Sequence, residues 1–162
     1  MASVYVGLGS NVDRENRIRQ AVDALRQRFG EIQLSPVYDS AAVGFDGSNF
    51  LNLVATFESP LEVEAAVAAF RSIEDELGRD RSLPKYASRP IDIDILLYGD
   101  LVLDVPGICI PRPEILVNAF VLKPLQDIAP MRLHPLTGQS YASHWQKMAP
   151  NAPQLEEVAL EL

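Results

Sequence analysis

The seven residues Ile91-Asp92-Ile93-Asp94-Ile95-Leu96-Leu97 constrain the fold more than any other stretch of the chain. Apolar and acidic side chains alternate there, which is the period of a β-strand. Residues two apart on a strand share a face, with Cα atoms roughly 6–7 Å apart. Asp92 and Asp94 therefore point to one face, and Ile91, Ile93 and Ile95 to the other, toward a core. Two neighbouring carboxylates repel each other unless a cation joins them. A hard, oxygen-seeking ion such as Mg²⁺ meets that need, and such a pair can bridge two ions. A strand whose outer face is only solvated and acidic is the competing reading, and the repeat alone leaves both open.

The preceding segment adds information. Arg79, Arg81, Lys85 and Arg89 put four of the chain's 14 Lys and Arg into eleven residues, offset there only by Asp80. Cations leading into a carboxylate pair suit a metal-bound polyphosphate, because Mg²⁺ and Arg together neutralise phosphoryl oxygens. The guanidinium fork can also pair with phosphate in a bidentate way. The alternative is that these side chains neutralise Glu74, Asp75 and Glu76 just before them, as exposed ion pairs commonly do. Tyr86 sits among the cations with no periodic reason to be core, so it suits a lid closing over a ligand.

Composition excludes several classes. The chain has 162 residues, 22 Asp and Glu against 14 Lys and Arg, and a net charge of -8. Its length fits one domain spanning residues 1–162, able to bury a core without a disulfide or metal staple. The acidic balance argues against a nucleic-acid partner, because phosphate backbones are bound by Lys and Arg. No apolar run approaches the ~20 residues of a membrane span. The opening MASVYVGLGSN lacks the basic and long apolar regions of a secretory signal, and Cys109 is the only cysteine. A reducing cytoplasm is the expected compartment. Neither GxxxxGK[ST] nor GxGxxG is present; Gly7-Leu8-Gly9 is a near miss. His134 and His144 lie near no obvious nucleophile, and one Cys with two His makes a poor zinc set. Cys109, between Ile108 and Ile110, reads as a small core residue.

Periodicity supplies the elements. Residues 4–8 read as a strand that stops at Gly9-Ser10-Asn11, a cluster favouring turns and caps. Ile18, Ala21, Val22, Leu25 and Phe29 follow at helical spacing, with Gly30 as a stop. Residues 31–38 and 50–57 read as strands, with a loop over 39–49. Ser59-Pro60-Leu61-Glu62 has a capping-box pattern with Pro at the first helical position. Val63, Ala66, Val67, Phe70, Ile73 and Leu77 then form an apolar face, and Gly78 suits its end. After the strand 91–98, Gly99-Asp100 turns the chain into Leu101-Val102-Leu103, and helices follow near 119–128 and 141–148. The order β-α-β-β-α-β with extra helix predicts an α+β domain: a ferredoxin-like antiparallel sheet with helices packed on it. Phe50 and Phe120 neighbour Asn49, Asn52 and Asn118, so a flat heterocycle could stack on a ring while an amide reads its edge. Core packing is the ordinary role of such rings.

Taken together, LGSN at 8–11, Phe50-Leu51-Asn52, Gly78-Arg79-Asp80-Arg81, Arg89-Pro90-Ile91-Asp92-Ile93-Asp94-Ile95-Leu96 and Ala119-Phe120-Val121-Leu122 with Pro124-Leu125 resemble the 6-hydroxymethyl-7,8-dihydropterin pyrophosphokinases of folate biosynthesis. The resemblance runs from Val4 to about Pro130. It implies transfer of the β,γ-pyrophosphoryl group of ATP to the pterin hydroxymethyl oxygen, with release of AMP. It implies two Mg²⁺ ions on Asp92 and Asp94, and phosphate contacts from the catalytic Arg79 and Arg89. Ser40, Val43, Asn52, Tyr86 and Phe120 match pterin positions; Arg71, Glu74, Arg81, Lys85, Ile95 and Arg112 match the ATP side. The implied partners are the two substrates, with a monomer as the default state.

The chain departs from the family pattern in places. Pro111-Arg112-Pro113-Glu114 stands where Pro-His-Pro-Arg is usual, and Asn118 where an Arg precedes Ala-Phe. Asp39-Ser40 replaces a common Arg-Thr, Tyr86 a usual Trp, and Ser88 a frequent Pro. Arg112 is expected to substitute for the lost clamp charge, so that Arg112→Ala weakens ATP binding more than pterin binding. The altered clamp motivates a second reading, a divergent relative that binds pterin or Mg-nucleotide without efficient turnover. An RNA-binding ferredoxin-like module ranks third, because the strands lack interleaved exposed aromatics and the chain is acidic.

Overall fold

The alternation at residues 91–97 becomes β5 (Asp92–Tyr98) in a computed structural model that describes residues 1–42, 47–78 and 90–162. The sheet also contains β1 (Ala2–Ser10), β2 (Gln33–Leu34), β3 (Val37–Ser40), β4 (Phe50–Ser59) and β8 (Glu156–Val158). Its order is β5-β1-β4-β3-β8, with β2 also on β4, and neighbouring strands run antiparallel. Helix α1 (Arg14–Phe29) carries the chain from β1 toward β3, and α2 (Val63–Glu76) carries it from β4 to β5. Each crossover passes over one intervening strand, so the predicted ferredoxin-like α+β fold is realised.

Helices cover both faces of the sheet. Val4, Val6, Leu8, Ile91, Ile93 and Ile95 bury one face against Ile18, Val22 and Leu25 of α1 and Phe70 and Ile73 of α2. On the other, Val54, Leu96 and Leu97 pack against Leu122 and Leu125 of α3 (Ala119–Ile128), Tyr141 of α4 (Tyr141–Met148), and Ile115. A β-bulge switches β5 between these cores: Tyr5 lies opposite Leu97 but Val6 opposite Ile95, so Leu96 is an extra residue. Leu96 and Leu97 therefore share the second core, and Tyr98 returns to the first.

Several local expectations change. The strand expected over 31–38 is two short ones, broken at Ser35-Pro36, where Pro lacks the N–H a ladder needs. Ser35 bridges the break, its N–H donating to the Val54 carbonyl at 2.9 Å and its Oγ accepting from the Val54 N–H at 2.8 Å. Asp39 and Ser40, expected in a loop, extend β3 opposite Leu51 and Phe50. The capping box does not form, because Ser59 still pairs with Ala2 in the sheet. Its Oγ accepts from the Leu61 N–H at 3.1 Å, and α2 starts at Val63 with Glu62 as its N-cap. Leu103 alone of Leu101-Val102-Leu103 joins a strand, β6 (Leu103–Val105), which pairs with β7 (Ile108–Ile110) as a separate ribbon. Cys109 is half-buried on β7 opposite Asp104. The C-terminal tail adds β8 to the sheet, and Leu160 and Leu162 pack against the first core. Among the described residues, no helix is long and apolar enough to cross a membrane.

Candidate active site

The register aligns chemistry across the sheet. Asp92 lies opposite Gly9, Gly9 opposite Asn52, and Asn52 opposite Tyr38. Asp94 lies opposite Gly7, which faces Val54 on the other side. Directly opposed residues share a face, so Asp92, Asp94, Gly7, Gly9, Asn52 and Val54 all lie on the α3 side. Glycines on the central strand leave the strip between the carboxylates and Asn52 without side chains. A Cβ on Gly9 would come within 2.7 Å of Asn52 Oδ1 and 3.8 Å of the Phe50 ring. The alternation of Gly7 and Gly9 within a strand is the signal for this floor; a search for phosphate loops passes over it.

The residues around the floor are braced. Buried Asn52 donates from Nδ2 to Ser40 Oγ at 3.0 Å. Phe50 and Phe120 are half-buried, Phe120 in the first turn of α3. Ser10 and Asn11, which the sequence marks only as turn formers within LGSN, anchor the approaches to the site. The fully buried Ser10 donates its hydroxyl to the Pro90 carbonyl, and Asn11 Nδ2 donates to the Ser48 carbonyl at 3.1 Å. Helix α1 supplies a cation to Asp39: Arg14 Nη1 donates to Asp39 Oδ2 at 2.8 Å and to the Asn49 carbonyl at 3.3 Å. Asn49 Nδ2 also donates to Asp39 Oδ1 at 2.9 Å.

The carboxylate side is strongly acidic. The Asp94 carboxyl is pushed up to about 7 by desolvation first, although 43% of its side chain is exposed, then by Asp92, Glu74 and Glu114, with Arg112 opposing. Arg112 Nη2 lies 3.7 Å from Asp94 Oδ1, and its Nε lies 2.8 Å from Glu114 Oε2. Glu74 is buried, and its Oε2 accepts the Ile93 N–H at 2.8 Å between the two aspartates. A divalent cation fits this donor set: hard oxygens only, and a carboxylate that resists ionisation without a counter-charge. Among the described residues, no group of three or more His, Cys, Asp or Glu could hold a metal. Mg²⁺ is commonly held by one or two carboxylates together with substrate phosphates and water.

Of the residues expected at the site, the structure brings Asp92, Asp94 and Arg112 together at the β5 edge, and Ser40 and Asn52 across the glycine strip. Exposed Arg71, buried Glu74 and the core residue Ile95 belong to the α2 side of β5. Val43, Arg79, Arg81, Lys85, Tyr86 and Arg89 lie outside the described residues. Asn118 takes the N-cap position of α3, and its side chain makes no capping bond.

Comparison with known proteins gives a consistent picture. The family model for 7,8-dihydro-6-hydroxymethylpterin-pyrophosphokinase (HPPK) matches residues 5–130. The chain is 38% identical over 138 residues to the 2-amino-4-hydroxy-6-hydroxymethyldihydropteridine pyrophosphokinase of Aquifex aeolicus, covering 84% of this chain and 86% of that one. It is 40% identical over 132 residues to the protein of that name from Pseudomonas aeruginosa, covering 78% and 80%. It is 36% identical over 151 residues to the folic acid synthesis protein fol1 of Pneumocystis carinii; that match takes in 90% of this chain and only 20% of the fungal protein. Among solved structures, Plasmodium falciparum HPPK-DHPS shares the fold with a TM-score of 0.72 at 13% identity, over 93% of this chain and 45% of that one.

Proposed function

The chain belongs to the 7,8-dihydro-6-hydroxymethylpterin-pyrophosphokinase family, and we propose that it transfers the pyrophosphoryl group of ATP to 6-hydroxymethyl-7,8-dihydropterin in folate biosynthesis, giving AMP. The observation that carries this reading is the single row Asp92–Gly9–Asn52, which sets a carboxylate and an amide on either side of a strip without side chains. A flat heterocycle suits the Asn52 end, where Ser40 fixes the amide, Asn52 reads the ring edge and Phe120 offers a stacking surface. Val43 and Tyr86, outside the described residues, are the further residues assigned to the pterin by the family resemblance. The nucleotide would occupy the β5 edge, where Asp92 and Asp94 would hold two Mg²⁺ ions. Arg71, Glu74, Arg81, Lys85, Ile95 and Arg112 serve the nucleotide, and Arg79 and Arg89 its phosphates.

Bound Mg²⁺ would supply neutralisation of the phosphoryl oxygens. The chain's own task is positioning and charge stabilisation, which carry most of the barrier reduction in phosphoryl transfer. The hydroxymethyl oxygen attacks the β-phosphorus, the bond from that phosphorus to the bridging oxygen breaks, and AMP leaves. The cations at 79–89 balance the charge of the transferred group, and Tyr86 helps exclude water, the competing acceptor. The protein acts as a monomer on these two substrates.

The test is product analysis. Protein, Mg²⁺, ATP and the dihydropterin should give AMP and pterin pyrophosphate in equal amounts. Folded protein that binds both substrates and forms neither product would favour the binding-only relative.

A further inference from the structure

Arg112 lies between two carboxylates, Asp94 and Glu114, and its contacts with them are unequal. Its Nε sits 2.8 Å from Glu114 Oε2 in an ion pair that leaves this buried oxygen without a hydrogen bond, and its Nη2 reaches Asp94 Oδ1 at 3.7 Å, too long for one. Its main-chain N–H is fixed to the Leu96 carbonyl at 3.0 Å, so the backbone stays on the bulge of β5. The side chain is one-third exposed and Asp94 is 43% exposed, so the head of Arg112 lies at the rim of the site. Arg is charged at every working pH, unlike the histidine of the family pattern, which is mostly neutral at pH 7. A guanidinium and a divalent cation cannot share Asp94 Oδ1 without repulsion.

We infer that Arg112 is a displaceable internal counter-ion: it holds the Asp94 carboxylate while the site is empty, and a divalent cation drives it from Asp94 toward the nucleotide. This rests on the proposed metal and nucleotide site. It makes Arg112 a positioning residue whose contribution to nucleotide binding exists only when metal is present. A plain long-range charge effect would instead help the anionic nucleotide with or without metal.

The test measures binding, not turnover. The affinity for a non-hydrolysable ATP analogue is determined by calorimetry for the parent protein, Arg112→Gln and Arg112→Met, each in excess Mg²⁺ and in chelator. Removing the guanidinium should weaken binding about tenfold or more in Mg²⁺, the worth of a charge-assisted contact, and change it by less than about twofold in chelator. In an Asp94→Asn background, where no charge at position 94 holds the guanidinium back, the same change should weaken binding in chelator as well. Mn²⁺ titrated into nucleotide-free protein should bind severalfold tighter to both Arg112 variants. An equal loss with and without Mg²⁺, or unchanged Mn²⁺ affinity, would overturn the inference and leave the site standing. If Mg²⁺ does not strengthen analogue binding to the parent, and Asp94→Asn leaves Mn²⁺ binding intact, the site itself is wrongly assigned.

Discussion

The carboxylate of Glu74 accepts the main-chain N–H of Ile93 at 2.8 Å, on the outer side of edge strand β5 and between Asp92 and Asp94. An edge strand has no ladder partner on that side, so a buried helix carboxylate takes the place of one. Glu74 is 5% exposed, and the spacing of the two aspartates depends on how straight this edge is held. Glu74→Gln keeps an oxygen acceptor and should cost less than about 1 kcal/mol. Glu74→Ala leaves a buried N–H without its partner and should cost about 1–3 kcal/mol, with a fall in kcat beyond that seen for Gln. Urea unfolding and steady-state rates check this; equal behaviour of Ala and Gln would contradict it.

The raised Asp94 carboxyl makes a pH prediction. The folded chain holds the proton up to about pH 7, whereas an unfolded Asp releases it near ~4. The group's contribution to stability is therefore full below about pH 4 and is lost as the pH rises through about 7. Asn cannot ionise, so in metal-free buffer Asp94→Asn should gain stability relative to the parent as the pH rises from about 4 to about 7. Added Mg²⁺ should raise the parent's Tm at the upper end more than the variant's. Thermal unfolding at the two pH values decides it, and a difference independent of pH would count against the acidic cluster as described.

Gly9→Ala tests the floor of the site. The new methyl would sit 2.7 Å from Asn52 Oδ1, closer than real contacts allow, so the amide must move and its bond to Ser40 is strained. Overpacking of this kind costs about 1–3 kcal/mol. The KM for the pterin should rise more than the KM for ATP. Calorimetric titration with each ligand separates the two, and a larger loss for the nucleotide would place the pterin elsewhere.

Much of this arrangement is legible in the sequence because it follows a period of two. The alternation of Asp92 and Asp94 with isoleucines fixes both a strand and its faces, and β5 keeps that alternation until the bulge at Leu96. The bulge is not legible, because Leu96 and Leu97 look alike and only the packing against Leu122 and Leu125 shows that both face the same way. Gly7 and Gly9 are read too locally: their importance lies in the carboxylates and amide on neighbouring strands, partners distant in sequence. Ser59 misleads for a similar reason, since its capping pattern is local while its pairing with Ala2 is set by the sheet. Arg14 meets Asp39 only because α1 brings it there, so this pairing cannot be seen along the chain.

The position of the β-phosphorus after reaction tests the central claim most directly. ATP carrying a radioactive β-phosphorus is mixed with the protein, Mg²⁺ and 6-hydroxymethyl-7,8-dihydropterin, and the products are separated. The account predicts that the label moves entirely to the pterin, that AMP is unlabelled, and that Asp92→Ala abolishes the transfer while the protein remains folded. Label recovered in ADP, or undiminished transfer by the Asp92 variant, would contradict it.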